Sequence, residues 1–179
     1  IPTHKGYKNE VALLIDDVFL EKALKANKNI VLLDKDSASE KIPSLYVGRN
    51  IDDKVGKTNV LNFITRGSFL DGDLQTGYLK AASNSLLSSL NLENIYFVEQ
   101  ASLSENDNFE SLIFLEERPV LVEWRTNKFK NIITSLDFDK SNLVLRAEFP
   151  ILINKIVDYA LENNKSLYKA GEFVLDNGE

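Results

Sequence analysis

The sequence predicts an α/β domain built around a mixed β-sheet, in which parallel strands come first and an antiparallel meander comes last. Two patterns support this prediction. Short apolar runs of strand length and an amphipathic helix alternate near the start of the chain, whereas three strand-like runs follow one another closely between residues 111 and 138. The length of 179 residues suits one domain with a sizeable core.

The first part of the chain predicts a strand, one helix and then further strands. Glu10–Ile15 is an almost continuous apolar run, as expected of a strand that is covered on both faces. The helix begins near Val18, and either Asp16 or Asp17 can cap its N-terminus. Three further strands are predicted at Asn29–Leu33, Leu45–Val47 and Asn59–Ile64.

The sequence patterns that predict helices and strands are weakest in the middle of the chain. Tyr78–Leu90 predicts one or two short helices, and Asp71–Asp73 predicts a turn because aspartate and glycine favour turns. A strand follows at Asn94–Glu99. The next strand-like runs are SLIFLE, PVLVEW and FKNIITSLDF, and the connections between them have hairpin length, which predicts the antiparallel meander.

The clearest helix is Phe149–Asn163, near the end of the chain. Pro150 falls in its first turn, where the missing N–H of proline has no cost. The apolar residues that share one face of this helix are Phe149, Leu152, Ile153, Ile156, Val157, Ala160 and Leu161. The domain is therefore expected to span residues 10–163, with 164–179 as a linker and the start of a further β-region. A chain that starts without methionine is expected to be a fragment of a longer protein.

The composition limits the chemistry of the chain. It contains no cysteine, which excludes disulfides, thiolate metal ligands and thiol nucleophiles. Its one histidine, His4, lies in a polar leader ahead of the first strand, where it is poorly placed as a general base or a zinc ligand. The sequence therefore indicates neither a thiol-dependent nor a histidine-dependent enzyme.

The net charge of the chain argues against nucleic acid and anionic lipid as partners. The formal net charge is −6 and the basic residues are scattered, so the sequence offers no patch for the phosphates of nucleic acid or for anionic lipids. No apolar run approaches the roughly 20 residues that span a bilayer. The expected partners are another protein or neighbouring domains of the same chain, and no cofactor is expected.

One loop has the spacing of a calcium site. Oxygen-bearing side chains fall at loop positions one, three, five and twelve, at Asp137, Asp139, Ser141 and Glu148. Calcium prefers several hard oxygen ligands on a tightly turned loop. Against this interpretation, Asn142 stands where such loops have glycine, and Lys140 adds a positive charge. In the alternative interpretation the two aspartates end a strand and Glu148 favours the N-terminus of the following helix.

A second candidate site lies at the carboxyl ends of the predicted strands. Asp16 and Asp17 follow the first strand and Arg66 follows the strand at Asn59–Ile64. Open α/β sheets bind ligands at this edge. Helix capping explains the two aspartates at least as well, and no glycine-rich phosphate loop follows a predicted strand. The many carboxylates also leave room for a hydrolase, because pairing across a cleft depends on distances that sequence does not contain.

Three segments resemble one protein family: Asp16–Leu24, Leu45–Ile64 and Ser135–Leu161. They look like the strand-to-helix entry, the strand–loop–strand unit and the closing strand and Phe-Pro helix of one kind of domain. Such domains follow the von Willebrand factor A domain in bacterial Bat-type (aerotolerance-related) membrane proteins. The resemblance implies a class I glutamine amidotransferase-like domain, which has a flavodoxin-like layered α/β fold.

The resemblance also implies what the chain lacks and where it acts. Glutamine amidotransferases use a cysteine nucleophile with a histidine base, and the matched region contains neither residue. The resemblance therefore implies the fold without its catalytic centre. It further implies a parent protein anchored in the bacterial cell membrane, with this domain outside the cytoplasm and the membrane contacted only by other parts of that parent.

Two functional hypotheses follow. The first is a non-catalytic binding or scaffolding domain that mediates protein interaction or assembly. The second is a carboxylate- or metal-dependent hydrolase, or a domain that binds a small ligand. A deep pocket of converging carboxylates at the carboxyl edge of the sheet would favour the second hypothesis, whereas aspartates engaged as helix caps would favour the first.

Overall fold

The part of the chain that the structure describes forms a nine-stranded sheet with three α-helices packed on it. A computed structural model describes residues 8–83, 86–124 and 128–161. The strands are β1 (Asn9–Leu13), β2 (Ile30–Leu33), β3 (Leu45–Arg49), β4 (Asn59–Phe63), β5 (Leu70–Ala81), β6 (Tyr96–Leu103), β7 (Phe109–Leu115), β8 (Arg118–Trp124) and β9 (Asn131–Thr134). The helices are α1 (Val18–Lys25), α2 (Lys35–Glu40) and α3, which is helical over residues 148–161. His4 and the predicted segment 164–179 lie outside the described residues.

The sheet is mixed, as predicted. Its strand order is β2-β1-β3-β4-β9-β8-β7-β5-β6, and the first five strands in this order run parallel. Their order is that of flavodoxin-like sheets, with β9 as the fifth strand. The other four strands pair antiparallel with their neighbours. The predicted α/β class and the meander of β7, β8 and β9 are thus confirmed.

Helix α1 begins where the sequence predicts, and Asp17 is its N-cap. Asp17 Oδ1 accepts hydrogen bonds from the backbone N–H groups of Phe19 (2.9 Å) and Leu20 (3.0 Å). Asp16, the other candidate cap, lies one residue too early to reach these groups, and its side chain is exposed. Capping therefore belongs to Asp17 and not to Asp16.

Helix α2 was not predicted, and its composition explains why. Asp34 starts it by accepting a hydrogen bond from the Ser37 N–H at 2.7 Å, and Ala38 is its buried residue. Six residues with one apolar position show no amphipathic pattern. The expectation of one helix among the first strands was wrong for this reason.

The largest departure from prediction is at Tyr78–Leu90. Tyr78–Ala81 belong to β5 and not to a helix, while Leu86–Ser89 form a short 3-10 helix. β5 is extended because it pairs with β6 on one side and with β7 on the other, and such distant partners override local helix propensity. Asp71–Asp73, predicted as a turn, forms a β-bulge within β5.

Helices α1 and α3 cover one face of the sheet. Consecutive strand residues point to opposite faces, so Val11 packs against these helices while Ala12 faces the other side. The predicted stripe of α3 is buried, with exposed fractions of 0–3% at Phe149, Leu152, Ile156 and Val157. Asn154 Nδ2 donates a hydrogen bond to the Ala23 carbonyl at 2.8 Å, which joins α3 to α1.

The ribbon of β5 and β6 covers part of the opposite face. Ile132 of β9 packs in the cluster that contains the helices, whereas its neighbour Ile133 packs with Leu103 of β6 and with Ile64. The ribbon therefore lies beside the carboxyl ends of β4 and β9. It forms one wall of the site described next.

Candidate functional site

A cleft of about 480 Å³ opens at the carboxyl ends of the parallel strands. Residues that end or follow β1, β3, β4 and β9 form one wall, and the ribbon of β5 and β6 forms the other. The floor is apolar and includes the buried side chains of Ile15, Leu20 and Leu136. Open α/β sheets bind ligands at this edge. We call this feature the carboxyl-edge cleft.

The rim of the carboxyl-edge cleft carries charges of both signs. Its charged residues are Asp17, Arg49, Glu99, Asp137, Asp139 and Lys140. Within the described ranges, no carboxylate lies at ion-pair distance from Arg49, which ends β3. A guanidinium with free donors beside an apolar floor suits a carboxylate or another anionic group.

Gln100 ties the two walls of the cleft together. Its buried Nε2 donates hydrogen bonds to the carbonyl oxygens of Ala101 and Ser135, and its Oε1 accepts one from the Asp137 N–H at 2.9 Å. Ser135 Oγ donates in turn to the Ala101 carbonyl at 2.9 Å. Nothing in the local sequence marks Gln100 as important, because Ser135 and Asp137 lie 35 and 37 residues away along the chain.

Asp16 and Asp17 are close in sequence but differ in environment. Asp17 lines the carboxyl-edge cleft, yet its Oδ1 already accepts the two N–H bonds of the helix cap. The Asp16 side chain is 94% exposed and pairs with Lys35 at 3.4 Å. The structure therefore brings Asp17, and not Asp16, to the cleft.

Arg66 does not line the carboxyl-edge cleft, although it follows a strand as predicted. The chain turns just before it, where the Thr65 N–H donates to Asn50 Oδ1 (3.0 Å) and Asn50 Nδ2 donates to Thr65 Oγ1 (2.8 Å). Arg66 is exposed in the loop that follows. Arg49 occupies the cleft instead, and extending the predicted third strand to this residue would have indicated it.

Three of the four side chains with calcium-site spacing, those of Asp137, Ser141 and Glu148, are engaged locally. Asp137 Oδ1 accepts a hydrogen bond from the Asp139 N–H (3.0 Å), and Ser141 Oγ accepts one from a backbone N–H two residues on (3.2 Å). Arg146 Nη2 donates to Glu148 Oε1 at 2.7 Å, and this bond lowers the pKa of the Glu148 carboxyl. Across the described residues, no group of three or more acidic or histidine side chains is placed to hold a metal ion. The calcium interpretation of this loop stays a hypothesis.

A second groove, of about 540 Å³, lies between the carboxyl ends of β1 and β2, and we call it the β1–β2 groove. Its apolar floor includes Leu13, Ile15, Leu32 and Leu33. The acidic residues that line it are Asp16, Asp17, Glu21, Asp34 and Asp36. Lys35 supplies a positive charge. The backbone N–H of Ser37, which donates to Asp34, lowers the pKa of the Asp34 carboxyl.

No protein-family model and no curated protein matches the sequence, whereas several solved structures share the fold. A cytoplasmic protein of Salmonella typhimurium LT2 has a TM-score of 0.62 at 8% identity, over 84% of this chain and 99% of that one. A Thermoplasma acidophilum protein described as part of a GMP synthase has a TM-score of 0.54 at 9% identity, over 93% and 98% of the two chains. A glutamine amidotransferase has a TM-score of 0.51 at 15% identity, over 87% and 98%. The fold is glutamine amidotransferase-like.

The glutamine amidotransferase-like fold occurs here without a cysteine, so the chain has no cysteine nucleophile. Identities of 8–15% relate these chains by fold alone. Among the described helices, none is long and apolar enough to cross a bilayer. The shared fold therefore assigns no activity to the site.

Proposed function

We propose that this chain is a non-catalytic domain that binds a protein partner or scaffolds an assembly, as part of a membrane-anchored bacterial protein. The observation that carries the proposal is an exposed apolar surface on β5 and β6. It consists of Tyr78, Tyr96 and Val98, and we call it the edge patch. Their exposed fractions are 49%, 41% and 47%.

The side chains of the edge patch lie next to one another. Tyr78 and Tyr96 are partners across the two strands, and their rings make an edge-to-face contact with centroids 4.8 Å apart. Val98 lies two residues after Tyr96, on the same strand face. A groove of about 540 Å³ separates this strand from Lys140 and Asn142 in the loop after β9. Contiguous exposed apolar surface marks many interaction sites, and tyrosine is enriched in interface cores.

The position of the patch on the last strand of the sheet supports the same proposal. An edge strand presents unpaired backbone groups, and proteins usually protect them with charges, bulges or a covering element. Glu99, with φ of 50°, forms a bulge in β6 and is the charged residue of this strand. Tyr96 precedes the bulge and Val98 is part of it, and a protein partner would bury both side chains.

The carboxyl-edge cleft is more consistent with a binding domain than with an enzyme. The family that the fold resembles needs a cysteine, which the chain lacks. Asp17 and Asp137 each already accept backbone N–H bonds, so the protein itself occupies oxygens of these two carboxylates. Gln100 is held by its three hydrogen bonds.

The membrane-anchored, extracytoplasmic setting is supported by the resemblance of Asp16–Leu24, Leu45–Ile64 and Ser135–Leu161 to Bat-type proteins with a von Willebrand factor A domain. Reporter fusions to the parent protein test it. We expect an alkaline phosphatase fused after this domain to be active and a fluorescent protein that folds only in the cytoplasm to stay dark. The reverse pattern would place the domain in the cytoplasm.

Photocrosslinking in cells tests the protein-binding role. A photoreactive phenylalanine analogue at position 96 should crosslink to a discrete partner in the full-length protein. The same analogue at position 57, in the exposed loop between β3 and β4, is the control and should give no such product. Val98→Lys should remove the product at position 96, because it places a charge in the interface. Equal products at both positions would contradict the proposal.

The alternative is a carboxylate- or metal-dependent hydrolase or a domain that binds a small ligand. Arg49 in the carboxyl-edge cleft favours it, because this guanidinium has no ion-pair partner among the residues that the structure describes. A small anionic ligand would pair with it. Thermal shift measurements with a panel of small carboxylates and phosphates test the alternative. A rise in melting temperature that Arg49→Gln abolishes would support ligand binding in the cleft.

A further inference from the structure

We propose that the β1–β2 groove binds a cationic peptide segment that also carries aliphatic side chains. The groove lies beside β2, at the edge of the sheet opposite β6, and no residue of the edge patch lines it. The inference therefore goes beyond the proposed function and does not depend on the edge patch.

The floor of the groove suits aliphatic side chains. Ile15 and Leu33 are buried at its base, while Leu13 and Leu32 are partly exposed there. Val18, at the start of α1, is 61% exposed on the rim. An aliphatic side chain entering the groove would remove these apolar surfaces from water, which favours binding.

The charged residues at the rim of the groove indicate that its ligand is cationic. Five carboxylates and one ammonium line the groove, which gives it a net charge of −4 in a chain whose formal net charge is −6. Low-dielectric walls concentrate such a field and attract ligands of the opposite sign. A second copy of this chain, a nucleic acid or an anionic lipid surface would be repelled, whereas lysine or arginine side chains would be attracted.

Three carboxylates of the rim, those of Asp16, Glu21 and Asp36, do not cap a helix. Asp36 has no ion-pair partner among residues 8–83, 86–124 and 128–161, and Glu21 pairs with Lys25 on the exposed surface of α1 at 3.3 Å. Lys35 lies 3.4 Å from Asp16 and neutralises part of the rim. A cation of the peptide would compete with Lys35 for Asp16.

Fluorescence anisotropy with the full 179-residue chain tests the proposal. The probe is a fluorescein-labelled peptide of sequence KLKVKLK, with two comparison peptides in which glutamate replaces lysine or serine replaces the aliphatic residues. We expect the first peptide to bind more tightly than both others. Binding should weaken as salt concentration rises, because the attraction between exposed charges is screened.

Matched variants locate the site. Glu21→Gln with Asp36→Asn should weaken binding about two- to fivefold per carboxylate, as is usual for exposed ion pairs. Lys35→Gln should tighten binding, because it frees Asp16. The control, Glu105→Gln with Asp107→Asn, changes charge equally in the loop before β7 and should have no effect.

Three results would overturn the proposal. Equal affinity for the lysine and glutamate peptides would exclude charge recognition. Equal loss of affinity in the groove and control variants would indicate attraction to the overall negative charge of the chain. An affinity that Val18→Ser and the serine peptide leave unchanged would exclude a role for the apolar floor.

Discussion

Gln100 Oε1 accepts a hydrogen bond from the Asp137 N–H at 2.9 Å and so joins the antiparallel ribbon to the end of the parallel sheet. We predict that Gln100→Leu destabilises the domain by about 1–3 kcal/mol, because it leaves the buried Ser135 carbonyl and the partly buried Asp137 N–H without the Gln100 side chain as partner. Urea unfolding monitored by circular dichroism measures this change. Glu105→Gln, an exposed change, is the control, and equal stability of the two variants would show that Gln100 does not join the walls.

The second prediction separates core packing from helix capping. Ile156→Ala should lower the free energy of unfolding by about 2–5 kcal/mol, because it removes buried methyl and methylene groups and leaves a cavity. Asp17→Ala should lower it by about 0.5–2 kcal/mol through loss of the α1 cap. Asp16→Ala should leave it nearly unchanged, because its ion pair with Lys35 is exposed. A larger effect at Asp16 than at Asp17 would contradict the assignment of the cap.

The elements of this fold that can be predicted from the sequence are those whose signals lie within one short stretch of the chain. α1 and α3 are predicted because each has an apolar stripe, and α1 also has a cap next to it. The first four strands are predicted because each is a short apolar run. Tyr78–Ala81, in contrast, has helix-forming neighbours and becomes a strand only through β6 and β7, which are distant in sequence.

Less of the candidate site than of the fold can be predicted from the sequence. Its position at the carboxyl edge of the sheet follows from strand order, and Asp17 and Asp137 follow from strand ends. The predicted third strand ends at Val47, two residues before Arg49. The prediction therefore omits Arg49 from the site and includes Arg66 instead. Gln100 has no local signal, because its role comes from the folding of the ribbon against β9.

The third prediction concerns calcium. We expect millimolar calcium to leave the melting temperature of the chain nearly unchanged, because Asp137, Ser141 and Glu148 are each engaged with protein groups. Specific binding at a hundredfold excess over the dissociation constant would stabilise the fold by about 2.7 kcal/mol. Calorimetry with calcium, and with magnesium as control, measures this. A calcium-specific rise that Asp139→Ala removes would show that the loop is a metal site.

The fourth prediction concerns acid. The hydrogen bond from Arg146 lowers the pKa of Glu148 in the folded state, so the folded chain binds this proton less readily than the unfolded chain. The stabilisation is present above the unfolded pKa, about 4.3 for glutamate, and is lost as pH falls through the lower folded value. Urea unfolding from pH 7 to pH 3 should show the stability of Glu148→Gln approaching that of the unchanged chain as pH falls. A constant difference across this range would contradict the role of this bond.

The measurement that tests the protein-binding role most directly compares the edge patch with the carboxyl-edge cleft in one assay. The yield of the complex crosslinked through position 96 is measured in cells for Tyr78→Ser with Val98→Ser, and for Arg49→Gln with Asp139→Asn. We predict that the patch variant loses the complex while the cleft variant retains it. Circular dichroism should show that both variants are folded. Loss of the complex in the cleft variant and its retention in the patch variant would contradict a binding role for the edge patch.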